Sequence, residues 1–222
     1  MSPPLRLAVF DCDGTLVDSQ ANICRAAEQA FRGLGLDAPP REAVRSIVGL
    51  SLVEAMRVLA PAEDDAMQRR LAADYKDAFF AMRHAGTLDE EPLFEGIGAL
   101  VARLDAQGWL LGVATGKSDR GLAHVLDHHG LARHFVTLQT ADRHPSKPDP
   151  SMLLTAMAEA GTTPQDTVMI GDTSFDMAMA KAAGVRAVGV AWGYHGIREM
   201  IDAGADVVAE RVADLPALLV PA

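Results

Sequence analysis

Short apolar segments recur along the chain at intervals that are typical of alternating strands and helices. Six runs of four to six residues are rich in apolar and β-branched side chains: residues 5–10, 109–114, 135–138, 167–170, 187–191 and 205–208. From the second run onward, a helix-like or turn-rich segment separates each run from the next. This alternation predicts an α/β fold, in which a parallel sheet is covered by helices on both faces.

Helical spacing appears between several of these runs. Residues 119–130 place Leu122, Val125 and Leu126 on one face and end at Gly130, a residue type that often terminates helices. Residues 150–161 repeat this arrangement, and a third helix is predicted for residues 174–183. These helices would connect neighbouring strands of the sheet.

The interval between residues 18 and 92 is too long for a simple crossover, which needs only about a dozen residues or more. It contains three apolar stripes at helical spacing, the last of which includes Leu71, Tyr75 and Phe79. We therefore predict a helical cap at residues 17–92, inserted into a core formed by residues 1–16 and 93–222.

Composition narrows the possible partners and location. The chain is 49% hydrophobic and has no stretch near the roughly 18 apolar residues of a membrane span. Its formal net charge of −10 argues against a broad nucleic-acid-binding surface. Two cysteines are too few for a disulfide framework, and the N-terminal residues do not fit a signal peptide. We therefore expect a cytoplasmic protein that binds neither membranes nor nucleic acids.

Polar residues follow four of the predicted strands. They are Asp11 and Asp13 after the first, Thr115 and Gly116 after the second, Lys147 after the third, and Asp172 and Asp176 after the fourth. Alone, each has a structural explanation as a turn residue, a solvated lysine or an acid at a helix N-terminus. Together they favour one site, because the carboxyl ends of parallel strands meet in one crevice. Two buried acids as close as Asp11 and Asp13 also require a cation or a proton.

Three look-alike motifs do not meet their own requirements. Only three residues separate Gly112 from Gly116, whereas a phosphate-binding P-loop has four. A calcium loop that begins at Asp11 would place Asn22 where a bidentate glutamate is needed. His124 and His128 lie one helical turn apart, but no third metal ligand is evident beside them.

The complete set of motifs resembles that of the haloacid dehalogenase superfamily, in particular its phosphatase branch with a helical cap after the first strand. The resemblance covers nearly the whole chain and rests on Asp11-x-Asp13-Gly14-Thr15, Thr115, Lys147 and Gly171-Asp172-x-x-x-Asp176. It implies a Rossmann-like, three-layer core. Val17-Asp18-Ser19 and Thr115-Gly116-Lys117 are further similar to phosphoglycolate phosphatases.

The resemblance implies a role for each of the first acids and for a metal. Asp11 would attack phosphorus to form an aspartyl phosphate, and Asp13 would protonate the leaving oxygen and then activate water. Mg²⁺ prefers hard oxygen ligands. It would be held by the carboxylates of Asp11 and Asp172 and by the backbone carbonyl of Asp13.

The remaining motif residues would bind the phosphoryl group. Thr115 and the Gly116 amide would hold phosphoryl oxygens, and Lys147 would offset the negative charge of Asp11 and the phosphate. Asp176 would orient Lys147 or a metal-bound water. The expected reaction is hydrolysis of the phosphate monoester of a small metabolite, such as 2-phosphoglycolate, by a monomer or small homo-oligomer.

Particular residues argue against two other activities of the superfamily. A dehalogenase needs no acid at the position of Asp13, and a phosphonate-cleaving enzyme would need a lysine in a cap loop, whereas Lys76 lies in a predicted helix. A β-phosphoglucomutase-like sugar phosphomutase and a non-catalytic regulator that binds a phosphorylated ligand remain alternatives. The cap loop that includes Arg45 and Gly49 is predicted to contact the substrate.

Overall fold

The computed structural model describes residues 5–219, which form one six-stranded sheet with helices on both of its faces. The strands are β1 (Arg6–Phe10), β2 (Trp109–Thr115), β3 (Thr137–Thr140), β4 (Thr167–Gly171), β5 (Arg186–Val190) and β6 (Val207–Ala209). Neighbouring strands are parallel, and their order is β3-β2-β1-β4-β5-β6. This arrangement confirms the predicted α/β fold with a parallel sheet.

Alternate residues of the central strand pack against the two helical layers. The helices are α1 (Gln20–Gly33), α2 (Arg41–Arg45), α3 (Leu52–Leu59), α4 (Asp65–His84), α5 (Ile97–Ala106), α6 (Asp119–His128), α7 (Ser151–Ala160), α8 (Ser174–Ala182), α9 (Ile197–Asp202) and α10 (Leu215–Leu218). Ala8 and Phe10 of β1 share an apolar core with α5, α6 and α10, whereas Leu7 and Val9 share the opposite core with α7 and α8. The period of two along β1 thus produces a three-layer core.

The three helices predicted between strands are present as α6, α7 and α8. Helix α6 begins where the Ser118 hydroxyl accepts a hydrogen bond from the Gly121 amide at 3.2 Å. Within residues 5–219, no helix is long and apolar enough to cross a membrane. Strand β3 begins at Thr137, two residues later than expected, because a short 3₁₀ turn at Ala132–His134 ends at Phe135. The Phe135 ring packs edge-on against Phe10.

Four helices, α1 to α4, lie between β1 and α5 and form apolar clusters of their own. The two segments that connect them to the sheet run side by side. The Asp18 amide donates to the Pro92 carbonyl at 3.0 Å, and the Phe94 amide donates to the Leu16 carbonyl at 3.1 Å. These contacts lie where the predicted cap, residues 17–92, joins the core. We continue to propose this range as the cap domain.

Candidate active site

The sheet brings the strand-end motifs to one edge. Asp11 directly follows β1, and its amide donates a hydrogen bond to the Ile170 carbonyl of β4 at 2.9 Å. Thr115 is the last residue of β2, and Asp172 directly follows β4. All three side chains are buried. Parallel pairing therefore places residues more than 100 positions apart in one site.

Lys147 is the centre of the charged cluster and is fully buried between two carboxylates. Its Nζ lies 2.9 Å from Asp11 Oδ1 and 2.6 Å from Asp176 Oδ1. Burial alone would lower the pKa of the Lys147 ammonium, but Asp11 and Asp176 outweigh this effect and raise it. Lys147 therefore lies as a cation beside Asp11. Its role in offsetting negative charge, which the family resemblance implies, remains a prediction.

Asp176 is held in place by the start of helix α8. Its Oδ2 accepts hydrogen bonds from the Thr173 amide at 3.1 Å and the Thr173 hydroxyl at 2.7 Å, while the Asp176 amide donates back to the same hydroxyl. This capping box fixes one oxygen of Asp176 and directs the other towards Lys147. The geometry suits the orienting role that we predict for Asp176.

Asp172 is a third buried carboxylate in the same cluster. Its Oδ1 accepts from the Thr15 hydroxyl at 2.7 Å, and its Oδ2 accepts from the Tyr194 amide at 2.9 Å. Gly14 lies against it in a left-handed conformation, with φ of 84°, and a Cβ there would collide with the Asp172 carboxylate. Only glycine allows the loop after β1 to pass so close to Asp172.

The three carboxylates fit a divalent cation. Among residues 5–219, Asp11, Asp172 and Asp176 form a cluster whose oxygens lie within 4.8 Å of one another. Burial raises the pKa of Asp11 to about 7 although Lys147 opposes the rise, and burial with Asp11 nearby raises the pKa of Asp172 well above its usual range. Asp11 Oδ2 receives no hydrogen bond. Because one lysine does not neutralise three buried acids, a bound cation would offset the remaining negative charge. Carboxylate oxygens are hard ligands of the kind that Mg²⁺ prefers.

The Asp13 carboxylate lies apart from this cluster. Its Oδ1 accepts a hydrogen bond from the Ser19 hydroxyl and lies 2.8 Å from Lys117 Nζ. Unlike Asp11, it lines a cavity between the cap and the sheet edge. The two acids of the opening motif therefore have separate surroundings, which is what unequal roles in a reaction require.

Thr115 and Gly116 lie beneath the cap. The Thr115 hydroxyl accepts a hydrogen bond from the Lys117 amide at 3.2 Å. A Cβ at Gly116 would lie 2.6 Å from the Leu50 carbonyl oxygen and 2.8 Å from that of Gly49. The cap loop of residues 46–51 thus lies directly against Gly116, one of the predicted phosphate-binding residues.

The cavity between the cap and the sheet edge has a volume of about 750 Å³. Asp13, Gly116 and Lys117 form its polar end, and Gly49 belongs to its lining. Arg45 does not line it; its guanidinium lies over the Tyr194 ring at 5.9 Å. Contact of Arg45 and Gly49 with substrate remains a prediction.

Sequence reasoning assigned no role to three residues that contact the motif acids: Lys117 at Asp13, Ser19 at Asp13, and Tyr194 at Asp172. Lys117 and Ser19 lie within segments that the family resemblance includes, so a signal was present for them. Tyr194 also binds the cap linker, because its hydroxyl accepts from the Ser19 amide at 3.1 Å. Only the folded chain shows that these groups meet.

Comparisons with known proteins agree with this geometry. The profile described as "Haloacid dehalogenase-like hydrolase" matches residues 8–190. "Probable phosphatase IndB" of Dickeya dadantii (strain 3937) is 36% identical over 215 residues, which cover 94% of this chain and 91% of that protein. A "Phosphoglycolate phosphatase" of Pseudomonas putida (strain ATCC 47054) is 35% identical over 216 residues, which cover 96% of this chain and 78% of that protein.

A solved structure, "Crystal structure of a predicted phosphatase from Clostridium acetobutylicum", superposes with a TM-score of 0.87 at 25% identity. The alignment covers 98% of this chain and 99% of that one. The likeness therefore includes the cap helices as well as the sheet.

Proposed function

The chain belongs to the haloacid dehalogenase-like hydrolases, and we propose that it is a Mg²⁺-dependent phosphatase that hydrolyses a small-molecule phosphate monoester through an aspartyl phosphate. Relatives named as phosphatases support the reaction class. The observation that carries the proposal is the division of the acids. Asp11 is buried against Lys147, whereas Asp13 faces the cavity in which a leaving group can lie.

In the first step, an Asp11 oxygen attacks phosphorus while the bond between phosphorus and the ester oxygen breaks. Asp13 donates its proton to that leaving oxygen, so the alcohol departs neutral. In the second step, Asp13 accepts a proton from water as the water oxygen attacks the aspartyl phosphate. The bond between Asp11 and phosphorus breaks, and inorganic phosphate and the free Asp11 carboxylate are formed.

Mg²⁺ would be held by carboxylates of the buried cluster, with Asp11 and Asp172 and the Asp13 backbone carbonyl as the proposed ligands. When bound, it supplies positive charge that stabilises the phosphoryl oxygens in the transition state. Lys147 adds a second positive charge beside Asp11, and Thr115 with the Gly116 amide would hold phosphoryl oxygens. Asp176 keeps Lys147 in position through their 2.6 Å contact.

The proposal is tested by the release of free phosphate from 4-nitrophenyl phosphate and from 2-phosphoglycolate, the substrate implied by the name of the Pseudomonas relative. Wild-type protein with Mg²⁺ is expected to release phosphate, and chelation of the metal is expected to stop it. Asp11→Asn removes the nucleophile and is expected to abolish turnover while circular dichroism stays unchanged.

Undiminished activity of Asp11→Asn would rule out the aspartyl phosphate. β-Glucose 1-phosphate distinguishes the phosphatase from the phosphomutase alternative. A mutase would convert it to another sugar phosphate and release little free phosphate. A regulator without catalysis would show no turnover of any ester and no beryllofluoride adduct at Asp11.

A further inference from the structure

The cavity is larger than a two-carbon phosphate ester requires. Its volume of about 750 Å³ lies within the range of roughly 300–1,000 Å³ that is typical of pockets for drug-sized ligands. A molecule such as 2-phosphoglycolate would occupy only the end beside Asp13 and Lys117. Most of the cavity lining is therefore available to a larger alcohol group.

The deep wall of this cavity is apolar. It is formed by buried or half-buried side chains of the cap, among them Ile23, Val44, Met56, Tyr75 and Phe79. The Tyr75 and Phe79 rings lie 5.8 Å apart and are tilted towards each other. A polar group pressed against this wall would lose water without gaining hydrogen bonds, whereas an aromatic or branched apolar group would gain contacts.

The cavity lining carries more cationic than acidic side chains, although the chain as a whole is acidic. Five cationic and three acidic side chains line the cavity, while the formal net charge of the chain is −10. The Arg120 guanidinium lies 4.7 Å from the centre of the exposed Phe80 ring. Arg83, one helical turn beyond Phe80, is half-buried, and its Nε is buried with no hydrogen-bond partner.

Arg83 differs from two other cations of the cavity, Lys117 and Arg69, which are paired with carboxylates. Lys117 contacts Asp13 at 2.8 Å, and Arg69 contacts Asp65 at 2.6 Å. Arg83 has no ion pair with any carboxylate among residues 5–219. Arg83 belongs to the cavity lining, so its guanidinium can meet an anionic group of a ligand there.

We propose that the preferred substrate is the phosphate monoester of a bulky, mainly aromatic or branched alcohol that carries a second anionic group, and that Arg83 binds this group. The inference rests on the proposed phosphatase function. It distinguishes the substrate from 2-phosphoglycolate, which has no aromatic or branched group to contact the apolar wall of the cavity.

Four esters of simple alcohols test the proposal with the intact protein and Mg²⁺: 4-carboxybenzyl phosphate, its neutral 4-carbamoyl analogue, benzyl phosphate and 2-phosphoglycolate. Free phosphate gives kcat/KM for each. We expect 4-carboxybenzyl phosphate to exceed the carbamoyl analogue by about tenfold, as one charge-assisted hydrogen bond would give. We expect it to exceed 2-phosphoglycolate by more than tenfold, because pocket contacts discriminate roughly 10- to 200-fold per methylene.

Two variants assign the effects to the two parts of the cavity. Arg83→Gln is expected to bring the ratio between the carboxy and carbamoyl esters close to one. Arg70→Gln is the matched control, because Arg70 lies on the same helix but pairs with Asp74 at 2.8 Å outside the cavity, and the ratio should persist. Phe79→Ala is expected to lower kcat/KM for benzyl phosphate more than for 2-phosphoglycolate.

Two results would overturn the proposal: 2-phosphoglycolate hydrolysed as well as the benzyl esters, or an unchanged ester ratio in Arg83→Gln. Absence of turnover on all four esters and on 4-nitrophenyl phosphate would instead contradict the phosphatase function. In that case calorimetric binding of inert phosphonates decides the question. Binding of 4-(2-phosphonoethyl)benzoate tighter than 3-phosphonopropionate would support the cavity assignment, and equal or weaker binding would refute it.

Discussion

The buried charge cluster and the cap cavity lie next to each other but are built by different interactions. In the cluster, Lys147 contacts both Asp11 and Asp176. Asp176 accepts two further hydrogen bonds from Thr173, and Asp172 accepts two, from Thr15 and Tyr194. In the cavity, most lining contacts are apolar, several side chains are exposed, and the Nε of Arg83 has no partner.

This difference separates the chemistry of the reaction from the choice of substrate. Removing one charge from a buried, hydrogen-bonded cluster leaves its partners uncompensated, so each member constrains the others. An apolar wall tolerates changes of one or two methylenes and responds by altering the fit of a ligand. We therefore expect substitutions in the cluster to affect catalysis or stability, and substitutions in the cavity to affect selectivity.

Asp13 lies at the boundary of the two regions, and its substitution should have the largest effect. If Asp13 protonates the leaving alcohol, Asp13→Asn should lower kcat/KM for benzyl phosphate by about 10²- to 10⁴-fold. The loss should be much smaller for 4-nitrophenyl phosphate, because nitrophenolate leaves without a proton. Steady-state phosphate release from the two esters measures the difference. Equal losses on both would indicate that Asp13 only positions Lys117.

Lys147 tests how strongly the cluster depends on its single cation. Lys147→Met should lower the free energy of unfolding by about 3–5 kcal/mol, because the buried carboxylates of Asp11 and Asp176 lose their ion pair. Lys181→Met is the matched control, since Lys181 pairs with Asp206 at 2.6 Å at the surface, and it should cost no more than about 1 kcal/mol. Urea denaturation measures the loss in free energy of unfolding for each variant. Similar losses would contradict the prediction that the buried ion pairs contribute more than the surface pair.

The regions also differ in how far the sequence could predict them. Asp11, Lys147 and Asp172 were predicted to meet because each follows a parallel strand, and strand position requires only local patterns and one rule of topology. Helix α5 was not predicted, although Ile97, Val101 and Leu104 show helical spacing. The apolar spacing that indicates this helix is therefore present in the sequence.

The contacts between the cap and the core could not be predicted in the same way. The approach of the Leu50 carbonyl to Gly116 depends on how a helical unit packs against the sheet edge, as does the position of Arg45 over Tyr194. No periodicity or motif in one segment reports the orientation of the other. The lining of the cavity therefore became visible only in the folded chain.

Metal binding should stabilise the cluster in a pH-dependent manner. Because burial raises the pKa of Asp11 from 3.8 to about 7, the metal-free folded state binds more protons than the unfolded chain between these values. Its free energy of unfolding should therefore fall as pH rises through this window. Mg²⁺ competes with those protons, so it should raise the melting temperature more at pH 8 than at pH 5.

Thermal melts with Mg²⁺ or with a chelator measure this effect, and a hundredfold excess over Kd corresponds to about 2.7 kcal/mol. Asp172→Asn should reduce the Mg²⁺-dependent rise in melting temperature, because it removes one proposed ligand. The same melting temperature with and without Mg²⁺ at pH 8 would contradict a metal site in the cluster.

The smallest expected effect concerns Gly116, where the two regions touch. Gly116→Ala places a methyl group 2.6 Å from the Leu50 carbonyl oxygen, so the cap loop must move away, at a cost of about 1–3 kcal/mol for overpacking. Gly33→Ala is the matched control: it meets no atom within 4 Å at the end of α1 and should not destabilise the protein. The displaced loop helps to close the cavity. Gly116→Ala should therefore also weaken the preference for 4-carboxybenzyl phosphate over 2-phosphoglycolate. If the variant loses stability but keeps this preference, selectivity resides in the helices of the cap and not in the loop of residues 46–51.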